Sequence, residues 1–357
     1  MNWMACELHT HTFHSDGGQS LEELAAGAKA LGFDCIALTD HNTMSGLWNK
    51  ETVEQQTGMN IIQGMEWTTF FGHMVTLGVK DYIDWRPVGP GDIHAGLARV
   101  HEQGGIAGMA HPFRPGSPMC TGCYWEFELR DWNDLDYIEV WSTTFAPLKN
   151  NNARAFRLWT DKLNEGFRIA ATSGRDWHRQ EQTDEPLSVT YLLMEEHGGS
   201  ITDKAVAALS AGRASVTLGP RLDLGVHFGG QLYGIGDAVP EGTSPDHTIE
   251  LQAAADFEAR KEHWELPEQL YTLRFHSNLG MVSELPYAAD SKGCNVTLSR
   301  EGLRWVRAEL WGTIRGIRTM IAFTNPIYFN EPGGVITRND STISTDHGTQ
   351  RLYGYAR

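Results

Sequence analysis

Up to about residue 190 the chain alternates short apolar runs with helix-patterned stretches, and this limits the fold more than any other feature. A helix is predicted over 21–31, where Ser20-x-x-Glu23 forms a capping box and Gly32 stands where a C-cap glycine belongs. The run 35–38 reads as a short buried strand ending at Thr39, Asp40 and His41. The unit recurs. Residues 60–63 run into Met65 and Glu66, 74–79 form a further strand, a helix covers 93–103, and strand 105–109 ends at His111 and Pro112. A strand at 137–141, a helix at 153–165 and a strand at 168–171 leading into Ser173, Gly174, Arg175 and Asp176 complete the series. Strands alternating with helices predict an α/β fold with a parallel sheet or barrel. The edge at the strands' C-terminal ends is where such folds carry their sites. His9, His41, Glu66, His111 and Asp176 all fall there.

Beyond about residue 213 the period changes to two, as in the runs starting at Ile249, Tyr271 and Trp305, with Gly and Pro clusters between. This predicts an antiparallel β-sandwich. A connecting helix is expected near 206–211. From Glu331 the chain is rich in Gly, Thr, Ser and Asp, with little to bury. The expected organisation is therefore a first domain at 1–213, a second at 214–330 and a tail at 331–357. A length of 357 residues agrees with about two domains.

Composition excludes several classes. Hydrophobic residues at 41% and charged ones at 21% argue against disorder, collagen and coiled coil. No apolar window is long enough for a membrane-spanning helix, and the start MNWMACELHTHTFHSDGG does not read as a secretory signal. The 45 acids outnumber 29 bases, for a net charge of −16, and no basic stripe suits a nucleic-acid duplex. Five scattered cysteines, Cys6, Cys35, Cys120, Cys123 and Cys294, read as reduced thiols, so a cytoplasmic location is expected. Cys120 and Cys123 form a C-x-x-C pair, but a structural zinc would need two more ligands from elsewhere.

His9-Thr10-His11 in an extended segment puts both imidazoles on one face. Alone, H-x-H is a weak signal. It gains weight from His14, Asp16, Asp40, His41, Glu66, His73, His111, Asp176 and His178, each at a strand end or in the loop after it. Imidazole and carboxylate suit Mn, Fe or Zn, and the lack of thiolates disfavours a purely structural zinc.

The strings HTHTFHSDG, LTDHN, GMEW with GH, HPF and GRDWH, in this order, resemble the PHP (polymerase and histidinol phosphatase) superfamily of metallohydrolases. More narrowly, with GPRLDL, WVRAEL and FTNPIYF, the chain is similar to the CehA/McbA branch over about residues 5–330. The resemblance implies a distorted (β/α)7 barrel, followed here by the β-sandwich, holding two or three divalent ions. It implies that His9, His11, Glu66 and Asp176 hold one ion, with Glu66 bridging to a second bound by His73 and His111. Asp16, His41 and His178 hold a third, with Asp176 shared. Asp40 is implied to orient a ligand. Either His14 or Asp16 fills the position between the first two motifs, and Asp16 is the choice made here.

Arg175 departs from the family pattern. With Arg114, three residues after His111, it is expected to clamp a phosphate or carboxylate, unless each pairs with a local acid such as Asp131 or Glu126. Trp67, Phe70, Phe71, Trp141 and Trp177 flank the motifs and either line a pocket or belong to the core. The expected activity is hydrolysis of a small anionic phosphomonoester or phosphodiester by a metal-bound hydroxide, with His178 and His14 as proton carriers if they are not ligands. Hydrolysis of a carboxylic or carbamate ester, or an amide, is the alternative, and a non-catalytic metal-binding module the third reading. The β domain covers a rim, supports a homo-oligomer or shapes the pocket; the sequence does not choose.

Overall fold

The computed structural model describes residues 1–116, 122–241 and 248–329. The first half begins with β1 (Asn2–Thr10), α1 (Leu21–Ala30), β2 (Cys35–Leu38), α2 (Lys50–Thr57), β3 (Asn60–Thr69) and β4 (Gly72–Leu77). It continues through α3 (Ile93–Glu102), β5 (Ile106–Met109), β6 (Tyr137–Ser142), α4 (Asn150–Glu165), β7 (Ala170–Gly174), β8 (Val189–Met194), α5 (Ile201–Ser210) and β9 (Ala214–Thr217). The second half is all β: β10 (Arg221–Phe228), β11 (Gln231–Gly234), β12 (Ala238–Val239), β13 (Thr248–Asp256) and β14 (Tyr271–Ser277), then β15 (Gly280–Tyr287), β16 (Cys294–Ser299), β17 (Trp305–Ile314), β18 (Ile317–Thr324) and β19 (Ile327–Phe329).

α1 starts as its sequence requires. The Ser20 side chain accepts from the Glu23 N–H, and the Glu23 carboxylate accepts from the Ser20 N–H. The strands run β8-β1-β2-β3-β4-β5-β6-β7 along one sheet. Pairs β1/β2, β2/β3, β5/β6 and β6/β7 are parallel, whereas β3/β4 and β4/β5 are antiparallel. The reversal is local in origin. Thr69 pairs with Gly72, so Phe70 and Phe71 alone make the turn, and a parallel crossover needs about a dozen residues or more.

The ladders alone do not close the distorted (β/α)7 barrel that the resemblance implies. Among the described residues no ladder joins β7 to β1. Instead, backbone bonds tie the segment after β7 to the end of β1: Trp177 N–H to His9 O at 3.0 Å, and His11 N–H to Trp177 O at 2.9 Å. The same sheet also runs on without a break into the second half, since β9 pairs with both β8 and β18. A second sheet, β11-β10-β13-β16, lies over part of it. The inward rows Leu222, Leu224 and Val226 of β10 and Ile249, Leu251 and Ala253 of β13 share one core with Leu273, Phe275 and Phe323. Residues 331–357, read as a tail, lie outside the described residues, as does Cys120 of the C-x-x-C pair. No helix among the described residues is long and apolar enough to cross a membrane.

Candidate metal centre

The strand period places His9 and His11 on one face at the end of β1, and both imidazoles are fully buried. Glu66 projects from the interior of β3 to the same point. Its Oε2 lies 3.1 Å from His9 Nε2, 3.4 Å from His11 Nε2 and 2.8 Å from His41 Nδ1. Its Oε1 lies 3.0 Å from His73 Nδ1 and 3.4 Å from His111 Nε2. Asp176 Oδ1 is 2.9 Å from His11 Nε2 and 3.4 Å from His9 Nε2. On the open side, Asp16 Oδ1 stands 3.3 Å from His41 Nε2 and 3.0 Å from His178 Nε2. His111 and Asp176 hold left-handed backbone, φ 27° and 56°. Such strain costs about 1–3 kcal/mol per residue and concentrates at functional sites. Gly174 permits the approach of β7 to β1, because a Cβ there would sit 2.6 Å from that of His9 and 2.5 Å from Glu139 Oε2.

Three overlapping groups have ligand atoms within 4.8 Å of one another: His9, His11, Glu66 and Asp176; His41, Glu66 and His73; and His11, Asp16, His41 and His178. The division differs in detail from the one the resemblance implies. His41 belongs to two groups, His11 joins the outer one, and His111 falls outside all three while approaching Glu66.

The donors present suit a divalent cation. His9 Nδ1 lies 2.7 Å from Glu139 Oε2. A carboxylate can only accept, so the proton sits on Nδ1. In a neutral ring the Nε2 lone pair then faces Glu66 Oε2 and Asp176 Oδ1, acceptor against acceptor. His9 Nε2, His11 Nε2, Glu66 Oε2 and Asp176 Oδ1 are all buried without a hydrogen-bond partner, which is costly unless a positive charge stands among them. In the bare chain that charge is a second proton. Burial opposes it on His9, but Glu66, Glu139 and Asp176 outweigh burial and hold the imidazole well above its ordinary value. His41 is likewise raised, against burial, to about 10 by Glu66 and Asp16. Glu66 and Asp176, despite burial, are held well below the usual carboxylate range by these histidines. His11 goes the other way, lowered to about 4 chiefly by burial.

The remaining sequence candidates are placed as follows. His14 stays out of the cluster, with Nδ1 2.9 Å from Ser45 Oγ. Among the described residues Asp40 is seen hydrogen-bonded to no candidate ligand side chain; it accepts from Thr12 N–H at 2.7 Å and Ser15 Oγ at 2.8 Å, so it shapes the loop that presents Asp16. Arg114 pairs with Asp176 through Nη1 and Oδ2, rather than with Asp131 or Glu126. Arg175 is not seen at the ligand cluster: its guanidinium lies 4.6 Å over the Trp177 ring, and its backbone N–H donates to Glu7 Oε1. Trp67, Trp141 and Trp177 are core residues, Phe71 is partly buried and Phe70 is exposed.

Two carboxylates escaped the sequence reading. Glu139 fixes the His9 ring, and Glu7 Oε1 accepts from the N–H groups of His9 and Arg175, at 3.1 and 2.8 Å. Burial pushes the Glu7 carboxyl up to about 7. The signal for both was an acid set in an otherwise apolar strand, which is rarely buried without a task. Glu139→Gln is expected to weaken divalent-metal affinity by about 10–100-fold, as loss of a carboxylate that orients a ligand histidine does elsewhere. Isothermal titration with Mn(II) checks it; unchanged affinity would refute the role.

Residues 7–95 match the model of the PHP domain. An uncharacterized protein of Methanocaldococcus jannaschii is 30% identical over 151 residues, covering 39% of this chain and 82% of that protein. The chain belongs to the PHP domain family. A 5'-3' exoribonuclease of Haemophilus influenzae is 38% identical over 63 residues, 18% of this chain and 23% of that enzyme, so the match spans about a quarter of its length. Among solved structures, a two-domain protein of Bacteroides vulgatus, described as containing a predicted PHP-like metal-dependent phosphoesterase, superposes with a TM-score of 0.50. It is 16% identical, with 90% of this chain and 95% of that one covered.

Proposed function

We propose that the chain is a metal-dependent hydrolase acting on phosphoric esters, with His9, His11, Asp16, His41, Glu66, His73, His111, Asp176 and His178 as the ligand set. We read the first half as a distorted PHP-type barrel and the second as a two-sheet sandwich. One observation carries the functional reading. Three ligand groups share Glu66, His11 and His41, contain no thiolate, and open to solvent at one side, where Asp16 and His178 side chains are 63% and 28% exposed. A structural site is closed by four protein ligands, whereas a catalytic one keeps an open position. Divalent ions held there would lower the pKa of a water and polarise a phosphoryl group. The chain's own residues do the rest. Glu139 holds the His9 ring in one orientation, and the Asp40-braced loop presents Asp16. Arg114, beside Asp176, supplies a guanidinium for non-bridging oxygens.

The test is turnover of p-nitrophenyl phosphate, bis-p-nitrophenyl phosphate and p-nitrophenyl acetate by protein loaded with Mn, Fe or Zn. Phosphate-ester hydrolysis that a chelator abolishes supports the reading. Turnover confined to the acetate would transfer the site to carboxylic esters. Full activity in a Glu66→Ala, Asp176→Ala double variant would remove the metal mechanism.

A further inference from the structure

We propose that Arg154, with the aromatic pair Phe113 and Tyr124 beneath it, forms a second oxyanion subsite beside the ligand cluster. It would select substrates that carry a phosphate or carboxylate in addition to the group being cleaved. The inference rests on the phosphoester reading and names the substrate class within it.

Phe113 lies between His111, which approaches Glu66, and Arg114, which pairs with Asp176. The Arg114 N–H closes a tight turn onto His111 O at 2.9 Å. The stretch holding Tyr124 is laid along this turn, since Trp125 N–H donates to Pro112 O at 2.9 Å. The Phe113 and Tyr124 rings meet edge to face at 5.8 Å. Arg154, exposed on α4, lies with Cζ 4.3 Å above the Phe113 centroid and 5.6 Å from that of Tyr124, and its Nη2 donates to the Tyr124 hydroxyl at 2.8 Å.

Arg86, Arg130, Arg221 and Arg274 are each neutralised by a carboxylate. Arg154 forms no ion pair among the described residues. It is instead ordered by a ring face and a neutral phenol, which fix the guanidinium plane without neutralising it. A guanidinium has five N–H donors in a rigid fork, and one is engaged here, so the fork still suits a phosphate or carboxylate. Arg154 and Arg114 therefore flank Phe113, one reaching the cluster through Asp176 and the other displaced from it. A substrate with one oxyanion meets the first; a substrate with two, joined by a short spacer, meets both.

The test measures binding, so it does not depend on turnover. Mn-loaded protein is titrated calorimetrically with a propylphosphonate, an alkane bisphosphonate series of increasing spacer length, and the matching phosphonoalkanoates. The wild type is expected to bind a bisphosphonate or phosphonoalkanoate of one preferred spacer at least about tenfold more tightly than the monophosphonate. Arg154→Ala should abolish that gain, and Tyr124→Phe should reduce it in part. Arg154→Lys should retain charge but lose the spacer preference. The melting temperatures of the variants report whether they fold. If the monophosphonate binds but the second oxyanion gains nothing, or the gain survives Arg154→Ala in a folded protein, the subsite is overturned while the phosphoester reading stands. If no phosphonate binds the metal-loaded protein, both fall together.

Discussion

Glu66→Gln is expected to abolish most of the stabilisation that metal confers. The glutamine keeps the shape of the side chain but removes the charge that faces five imidazoles. Losing a carboxylate that only orients a ligand weakens a metal site by about 10–100-fold, and Glu66 belongs to two of the three ligand groups, so its loss should exceed ~100-fold. With free metal at about 1,000 times the wild-type Kd, binding stabilises the folded chain by about 4 kcal/mol; a 100-fold loss of affinity leaves roughly 1.4 kcal/mol. The quantity to measure is the metal-induced rise in melting temperature, with metal content by elemental analysis. Each variant is compared with its own metal-free form, so any effect of the substitution on the bare chain cancels. Asp16→Asn, at the solvent-exposed edge, should lose much less of that rise. A Glu66→Gln protein that binds the full complement of metal and shows the wild-type shift would refute the assigned ligand set.

How far the sequence led is best judged from particular residues. His9 and His11 were legible because period two on a strand puts them together whatever the rest of the fold does. Glu66 was expected at a strand end and belongs to the GMEW string; it lies inside β3 instead, a carboxylate amid apolar residues. Glu139 carries the same signal but belongs to no recognisable string, and its partner His9 is 130 residues away. The Arg114–Asp176 pair spans 62 residues and replaced the local acids that spacing alone suggested. The hairpin at Phe70 and Phe71 was in principle readable from its length; expecting uniform β/α alternation hid it, and with it the antiparallel steps that distinguish this sheet from a regular barrel. Trp67, Trp141 and Trp177 proved to be packing residues, since an aromatic next to a ligand motif is as easily the wall behind a site as its lining. Continuity through β9 was not legible either: a change of hydrophobic period marks a change of architecture, not a break in hydrogen bonding.

That continuity leads to the largest stability effect expected away from the metal centre. Glu309 of β17 pairs with Arg307 on the same strand, Nη2 to Oε1 at 2.9 Å, and both side chains are almost fully buried. Glu309 also accepts from the Trp311 indole N–H at 2.9 Å. Arg307 reaches across to α4, donating to Thr160 Oγ1 at 2.9 Å, and lies 4.6 Å from the Phe156 ring and 4.9 Å from that of Trp159. The pair thus sits where the helix of the first half meets the sheet of the second. Glu309→Leu would leave the guanidinium buried with one neutral acceptor and aromatic faces. Removing one member of a buried ion pair costs about 3–5 kcal/mol, whereas replacing both with apolar residues of similar volume is often neutral or stabilising. The single variant should therefore show a markedly lower urea midpoint, and the Arg307→Met, Glu309→Leu double variant should recover most of it. If the double variant is as unstable as the single one, the hydrogen bond to Thr160 and the ring contacts, rather than the uncompensated charge, hold this junction together. A single variant with the wild-type midpoint would show that water or a nearby group reaches Arg307 on unpairing, and that the junction is looser than its packing implies.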